Sequence, residues 1–280
     1  MSWIIAGDEK NGLLDIYPGA AAAYSLRNLQ GRSGKDSAVV RVRRDNDDTE
    51  ADFTATEVSD GTLAAWVGAG NNGLVRTWYD QSGNNQHLNQ ATNSAQPLIV
   101  SNGVVVFDDG KPAIQTNGTS HYMQSPNGAL GSVTSFYVAA VGSITAGDNR
   151  SIFAASNGGY GFSDQWIAIR RVSGALNFRH ARVGVNRNID LTDTSAKSLF
   201  QFLRSGTSLS AWVNSETSTT TVPSDALNLS AEIDFRVLDN AGSLLLPSPG
   251  LTQELIAYAN DQSTNRAGIE TNINAHYSIF

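Results

Sequence analysis

The sequence contains no cysteine among its 280 residues, and this absence removes whole classes of chemistry. Disulfide bridges, thiolate nucleophiles and thiolate metal sites are all excluded, so packing alone must hold the fold together. Charged residues are also scarce: they make up 16% of the chain and leave a net charge of −7. A broad attraction to nucleic acid or to an anionic membrane is therefore not expected.

Long apolar runs are missing as well. No stretch approaches the roughly 20 consecutive apolar residues that a membrane-spanning helix requires. The amino terminus lacks the positively charged start and the apolar run of a secretory signal, so we expect synthesis in a cytosol. Residues 1–12 are predicted to form an arm in which Trp3, Ile4 and Ile5 dock on an apolar surface of their own domain or of a neighbour.

Metal and phosphate sites have little support in the sequence. The four histidines are scattered, without partners at the spacing of a zinc site or a serine triad, and no phosphate-binding Gly-Lys loop is present. We therefore predict no cofactor. Calcium is the alternative that stays open, because the turns at 45–48 and 108–110 are rich in oxygen ligands, although neither has the spacing of a full calcium loop.

The chain does contain many short segments of β-type residues, separated by clusters of glycine, asparagine, aspartate and serine. Residues 166–182 and 199–213 predict two hairpins, and the apolar run 132–141 is typical of an inner strand buried on both faces. Short strands with frequent turns predict an all-β fold, a β-sandwich of two antiparallel sheets with a few short helices. We expect one domain over residues 13–280.

Helices are predicted at three places. Alanine-rich residues 20–30 favour a short helix that Gly31 ends, and residues 60–67 favour a helical turn just after a short strand at 53–57. The third covers residues 263–277, where an apolar stripe recurs every four residues. We expect Ser263 or Thr264 to cap this last helix and the helix to close one end of the sandwich.

The densest chemical signal is the stretch from Val75 to Gln90, which begins as a strand and ends as a polar turn. Aromatic rings stack on the apolar faces of sugars, and amides or carboxylates meet sugar hydroxyls. The stretch therefore predicts a carbohydrate site made of Trp78, Tyr79, Asp80, Gln81, Asn84 and His87. The alternative is a structural one, in which the aromatic pair anchors the core and the turn satisfies its own hydrogen bonds.

A catalytic alternative rests on Glu232 and Asp234, which a strand would place on one face. Glycosidases use two carboxylates about 5 to 9 Å apart. The segment resembles the Glu-x-Asp-x-x-Glu strand of laminarinase-like and lichenase-like glucanases, but here Asp239 follows Leu238 and the second glutamate is missing. The simpler interpretation is that Ile233 and Phe235 face the core and the two acids face solvent. No catalytic residue is assigned.

Several blocks together resemble the catalytic domain of the arabinofuranosidase B family, a concanavalin A-like β-sandwich or jelly roll. They occur in the family's order, and they are residues 22–27, 40–44, 78–83 and 96–97. Residues 111–122 are similar to the opening of laminin-G-like sandwiches. Residues 265–274 resemble the close of tailed-bacteriophage virion proteins that combine these same blocks. The resemblance covers residues 13–280 and implies the jelly-roll fold.

The activity is not carried over, because the family's cysteine-rich substrate pocket and its glutamate in a Met-Glu-Ala context have no counterpart here. The resemblance implies a phage virion component, a capsid decoration or a tail fibre or spike subunit, whose sandwich binds host-surface polysaccharide. Its partners would be other virion proteins and further copies of itself, for example in a trimer with contacts through exposed aromatics such as Trp3 or Trp212. A glycoside hydrolase of arabinofuranosidase type and a free lectin are the alternatives.

Overall fold

The structure, a computed structural model, describes residues 11–125, 128–144, 150–157, 164–172, 174–182, 185–192, 196–230, 232–235 and 249–280. Trp3, Ile4 and Ile5 of the predicted arm lie outside these residues. The helices are α1 (Leu13–Ile16), α2 (Ala55–Ser59), α3 (Thr62–Val67) and α4 (Arg266–Tyr277), with 3-10 turns at Gly31–Gly34 and Asn93–Ala95.

Short strands make up most of the remaining regular structure. The first twelve are β1 (Ala22–Ser25), β2 (Ala38–Arg44), β3 (Glu50–Thr54), β4 (Gly73–Trp78), β5 (Leu88–Asn89), β6 (Leu98–Ser101), β7 (Val104–Val105), β8 (Phe107–Asp108), β9 (Lys111–Pro112), β10 (Ile114–Asn117), β11 (Met123–Ser125) and β12 (Gly131–Val133). The others are β13 (Phe136–Ile144), β14 (Arg150–Ser156), β15 (Trp166–Val172), β16 (Ala175–Arg182), β17 (Val185–Leu191), β18 (Ser198–Ser205), β19 (Ser208–Val213), β20 (Glu216–Thr221), β21 (Leu227–Leu229), β22 (Glu232–Phe235) and β23 (Pro249–Tyr258).

Antiparallel pairing joins these strands into two layers. The front layer runs β3-β2-β4-β5-β11-β22-β14-β15-β16-β17. The back layer runs β20-β19-β18-β13-β23, and both β1 and β10 pair with β23 at its far edge. At the rim, β6 pairs with both β4 and β10 and so connects the layers. The predicted β-sandwich is confirmed.

Strand β13 lies in the middle of the back layer and is buried along its whole length. The inner strand predicted at 132–141 is confirmed from Phe136 onward, whereas residues 131–133 form β12 and pair with β21. Phe136, Val138 and Ala140 belong to the main core between the layers, whereas Tyr137 and Val141 belong to a second core on the outer side. A strand with apolar side chains on both faces needs a cover on each side. The front layer covers one face and α4 covers the other.

The last helix has the predicted stripe, since Ile269, Ile273 and Tyr277 are all buried. Its predicted position was wrong: the stripe packs in the second core, on the outer face of the back layer and not at an end of the sandwich. The predicted cap was also wrong. Asn265 is the N-cap, and its side chain makes no cap bond. Instead, a turn precedes the helix, in which the carbonyl of Gln262 accepts the amides of both Asn265 and Arg266.

The helix predicted at residues 20–30 was wrong, because residues 22–25 form strand β1 paired with β23. All four residues of β1 are buried, so the alternation of apolar and polar residues that marks a half-buried strand is missing from this part of the sequence. The strand predicted at 53–57 ends at Thr54, where Thr54 Oγ1 accepts the amide of Glu57 and the Glu57 carboxylate accepts the amide of Thr54. This reciprocal capping box starts α2. The two hairpins, the helical turn at 60–67 and the turns at 45–48 and 108–110 are confirmed.

We predict that Ile273→Ala lowers the free energy of unfolding by about 2–5 kcal/mol, because it leaves a cavity beneath α4. Thr271→Ala on the exposed side of the same helix is the matched control and should change little. Urea unfolding followed by tryptophan fluorescence measures both. A loss for Ile273→Ala no larger than the control's would contradict the second core.

Candidate functional site

The polar turn after β4 ties the front layer to β1. Asp80 is buried, and its Oδ1 accepts the amides of Ala23 (2.9 Å) and Ser82 (2.9 Å). Its Oδ2 accepts the Ser82 hydroxyl (2.7 Å) and the amide of Gln86 (3.0 Å). One carboxylate therefore satisfies four donors, and three of them are backbone amides.

Gln81 performs the same task for the segment after β1. Its Oε1 accepts the amide of Leu29 (2.8 Å), and its Nε2 donates to the carbonyls of Ser25 (2.9 Å) and Arg27 (3.0 Å). Asn84 donates from Nδ2 to the carbonyl of Ala20 (2.9 Å). Side chains here form the hydrogen bonds to the backbone that a neighbouring strand would otherwise form.

The structure thus brings all six residues of the predicted carbohydrate site together, but they divide into two groups. Trp78 is 1% exposed, with its ring 6.0 Å from that of Tyr24, so it anchors the core and cannot stack on a sugar. Together with Asp80 and Gln81 it fits the structural alternative. Tyr79, Asn84 and His87 reach the surface, and for these three carbohydrate contact stays a prediction.

Tyr79 and His87 form the outer edge of this turn. The Tyr79 hydroxyl donates to Asp52 (2.8 Å), and burial together with this carboxylate raises the pKa of Tyr79 to about 12. The two rings meet edge to face at 5.1 Å, and His87 Nδ1 accepts the amide of Asp80. The Tyr79 hydroxyl is therefore protonated at neutral pH and bound to protein.

A buried ion pair that the sequence did not reveal lies behind β1. Glu254 is fully buried, and its carboxylate accepts two bonds from Arg27, from Nε (2.7 Å) and from Nη2 (2.9 Å). Ser25 Oγ (2.8 Å) and the Tyr277 hydroxyl (3.2 Å) also donate to it. Burial, with Glu254 next, raises the pKa of Tyr277 well above its usual range. The pair joins β1, β23 and α4.

A cleft of about 370 Å³ opens beside this ion pair, between the β8–β9 hairpin, α2 and the end of α4. We call it the Phe107 cleft, because the ring of Phe107 lines it and is 48% exposed. Polar side chains surround the ring, and they are Asn28, Thr56, Ser59, Lys111 and His276. An exposed aromatic ring beside amide and hydroxyl groups is the combination that binds a sugar.

The charges near this cleft are mostly compensated. Arg27 is paired with Glu254, and Lys197 Nζ donates to the Tyr277 carbonyl (2.9 Å) and lies 3.3 Å from Asp109. Burial, and then the charge of Arg27, lower the pKa of His276 to about 4, so this imidazole is neutral at pH 7. Lys111, which pairs with Asp108 across the β8–β9 hairpin, adds a further positive charge to the lining of the cleft.

A second polar surface covers the outer face of the front layer on β15, β16 and β17. Trp166 packs there with Ala154, Ala168 and Ala181, while Ile167 and Ile169 point into the main core. The guanidinium carbons of Arg170 and Arg179 lie 5.5 and 5.3 Å from the Trp166 ring centroid. Asn177, Asn188 and Asp190 continue this surface in register. We call it the Trp166 face.

The pair Glu232 and Asp234 lies in strand β22, as predicted, between β11 and β14. Their side chains fall outside the described residues. The backbone register places Glu232 opposite Ser156 and Asp234 opposite Ala154. The catalytic alternative therefore stays a prediction.

The turn at 45–48, one of the two considered for calcium, is held by protein contacts. Asp47 and Asp48 bind Arg44 (2.6 Å) and Arg43 (2.6 Å), and Asp45 accepts the amide of Asn72 (2.9 Å). Within the described ranges, no group of three metal-ligating side chains converges on one point. No helix of that part of the chain is long and apolar enough to cross a membrane.

Comparison with solved structures supports the fold. The chain is similar to a GH54 α-L-arabinofuranosidase soaked with a cyclic sulfate inhibitor, with a TM-score of 0.67 and 17% sequence identity over 94% of this chain. An arabinofuranosidase complexed with arabinofuranosyl-α-1,2-xylobiose gives a TM-score of 0.68 at the same identity and coverage. This chain spans 65% of the length of each of these chains. At this identity the likeness shows a shared β-sandwich fold.

A weaker likeness is to a Trypanosoma rangeli sialidase in complex with sialic acid, with a TM-score of 0.49 and 12% identity, covering 72% of this chain and 31% of that chain. No protein-family model matches the chain. No curated protein matches it either. The likeness to the two arabinofuranosidase structures supports the resemblance to the arabinofuranosidase B family at the level of architecture.

We predict that Asp80→Asn destabilises the protein by about 2 kcal/mol or more, because the new amide group faces buried N–H donors. Asp36→Asn, at an exposed aspartate, is the control with the same chemical change. The measurement is the urea midpoint of each variant. Equal midpoints would contradict a structural role for the turn.

We predict that acid destabilises the protein partly through His276. An unfolded histidine has a pKa near its usual value of about 6.5, whereas the folded His276 has a pKa of about 4. As pH falls through this window, the unfolded chain binds a proton that the folded chain does not, so stability decreases and the loss is complete below pH 4.

Urea midpoints of the parent protein and of His276→Gln, measured at pH 7, 5 and 4, test this. The variant should lose less stability on acidification. His180, whose pKa burial also lowers to about 4, keeps its own contribution in both proteins. An identical loss in the two proteins would disprove the assignment to His276.

Proposed function

We propose that this chain is a carbohydrate-binding β-sandwich of a phage virion, and that it holds host-surface glycan without cleaving it. The observation that carries the binding proposal is the exposed ring of Phe107 in a cleft of hydrogen-bonding side chains. A half-exposed ring in a concave site offers an apolar face to a sugar, and the surrounding groups can meet its hydroxyls.

Hydrogen bonds hold both walls of the cleft in place, which favours a preformed site. Gln253 is fully buried and donates from Nε2 to the carbonyls of Asp108 (3.0 Å) and Lys111 (3.0 Å), which fixes the hairpin that carries Phe107. On the opposite wall, Tyr277 is held by Ser25 and Glu254. A preformed site avoids the entropic cost of ordering its loops when a ligand binds.

The absence of acidic groups supports binding over hydrolysis at this site. None of the described residues that line the cleft is aspartate or glutamate, and Glu254 behind it is buried and paired with Arg27. Glycosidases of the common type need two carboxylates beside the scissile bond. The arabinofuranosidase-type alternative would have to use another surface, and Glu232 and Asp234 are its candidates.

The virion assignment is supported by the sequence resemblance alone. It predicts that purified phage particles contain this chain, in symmetric copies and together with other capsid or tail proteins. Mass spectrometry of purified particles, with electron microscopy of particles that lack the chain, tests it. Absence from the particles would contradict the virion setting and leave the binding proposal intact.

We predict that Phe107→Ala weakens binding to the preferred neutral oligosaccharide of a glycan array by about tenfold or more, because it removes the stacking surface. Val104→Ala is the matched control, since Val104 is 64% exposed and does not line the cleft. Isothermal titration gives the affinities, and thermal unfolding checks that both variants stay folded.

Two results would count against the proposal. Equal affinity of Phe107→Ala and the parent protein would move binding away from the cleft. Release of reducing sugar from host envelope, abolished by Glu232→Gln or Asp234→Asn, would favour the hydrolase alternative.

A further inference from the structure

Among the described residues, arginines stacked on aromatic rings fall into two classes. In the first class, each arginine also binds a carboxylate. The class contains Arg27 over Tyr277 (2.7 Å to the carboxylate), Arg44 over Trp66 (2.6 Å) and Arg266 over Trp212 (2.5 Å). Arg170 and Arg179 share the ring of Trp166, yet neither has a carboxylate within 4 Å among the described residues. The two cations share one ring, and Asp190, whose charge acts on Arg170, does not form an ion pair with it. This arrangement needs an explanation.

Hydrogen bonds to described residues occupy one nitrogen of each guanidinium. Arg170 donates from Nε to Asn177 Oδ1 (2.8 Å), and Arg179 donates from Nη1 to Asn188 Oδ1 (2.9 Å). The Nε of Arg179 is buried and has no partner among the described residues. Hydrogen bonds link Arg170 to Asp190 through an amide, since Asn177 Nδ2 donates to Asp190 (2.6 Å), and the charge of Asp190 also acts on Arg170 directly. Guanidinium groups are suited to bidentate bonds with carboxylates.

The fold holds the two charges in this arrangement. Arg170 and Trp166 lie four residues apart on β15, and Arg179 lies opposite Ala168 between them. Burial, and for Arg170 also the charge of Arg179, lower the pKa of both arginines, that of Arg170 to about 10 although the charge of Asp190 raises it. Asp190 therefore compensates the buried positive charge only in part, and a further anion would reduce the remaining cost.

We propose that Arg170 and Arg179 on the Trp166 face form a subsite for the carboxylate of an acidic sugar. The neighbouring Asn188 and Asp190 are exposed and can meet the hydroxyls of the same sugar. A sugar fits better than a nucleic acid, because the protein has a net charge of −7 and this face adds only two cations. The inference rests on the proposed function only in taking a glycan as the carrier of the carboxylate.

Titration with a galacturonate oligosaccharide and with its methyl ester, which lacks the charge, tests the subsite on the intact chain. Binding of the acid should weaken about tenfold in Arg170→Gln and in Arg179→Gln, whereas Arg41→Gln should leave it unchanged. Arg41→Gln is the control because it removes the same charge from a surface ion pair with Asp52. The affinity of the methyl ester for the parent protein should be no higher than the affinity of the acid for the arginine variants.

Further arms separate the outcomes. The Arg Nε–H NMR signals of Arg170 and Arg179 should shift with galacturonate and not with galactose. Equal shifts with inorganic phosphate, tighter binding of a single-stranded oligonucleotide, or unchanged affinity in both arginine variants would overturn the inference. Loss of neutral-glycan binding in Phe107→Ala, with galacturonate binding retained, would show that the two sites are independent. If no neutral glycan binds but the galacturonate signals shift, the cleft proposal fails and the subsite stands.

Discussion

Strand β13 has no polar face, and the rest of the molecule follows from the need to cover it. Its inward side chains, such as Phe136 and Val138, are covered by the front layer, and its outward side chains, such as Tyr137, are covered by α4. The helix that covers the outer face also ends with His276 and Tyr277 at the wall of the Phe107 cleft. The same packing requirement therefore builds the cleft.

Buried polar groups fix the position of this cover. Glu254, on the strand next to β13, binds Arg27 and Tyr277, so β1 and α4 are attached to β23 through one carboxylate. A buried ion pair contributes little net stability unless further hydrogen bonds compensate the lost hydration. Here Ser25 and Tyr277 supply those bonds, and the requirement that all partners be present specifies a single register for these elements.

The sequence predicted elements whose pattern is local, and it failed where a distant partner decides. The stripe of α4 and the hairpin at 166–182 were correct, because periodicity and a short turn determine them. Residues 22–25 were wrong, because alanine favours a helix while pairing with β23 and the bond from Ala23 to Asp80 impose a strand. The Phe107 cleft combines segments that are far apart in the sequence, the β8–β9 hairpin, α2 and the end of α4, and no local pattern brings them together. The Arg170–Arg179 pair lies inside the predicted hairpin, and its position around Trp166 follows from the register of that hairpin.

The stretch from Val75 to Gln90, the densest chemical signal in the sequence, serves mainly to stabilise the fold. Asp80 and Gln81 direct their polar atoms mainly to backbone groups of residues 23–29 and 82–86, so any chain that needs this strand connection needs these side chains whatever it binds. The arabinofuranosidase structure shares the β-sandwich fold with this chain at 17% identity. Function has to be sought in side chains that the fold does not require. Phe107 meets that criterion because its ring is 48% exposed, and Arg170 and Arg179 meet it because each uses only one nitrogen in a bond to a described residue.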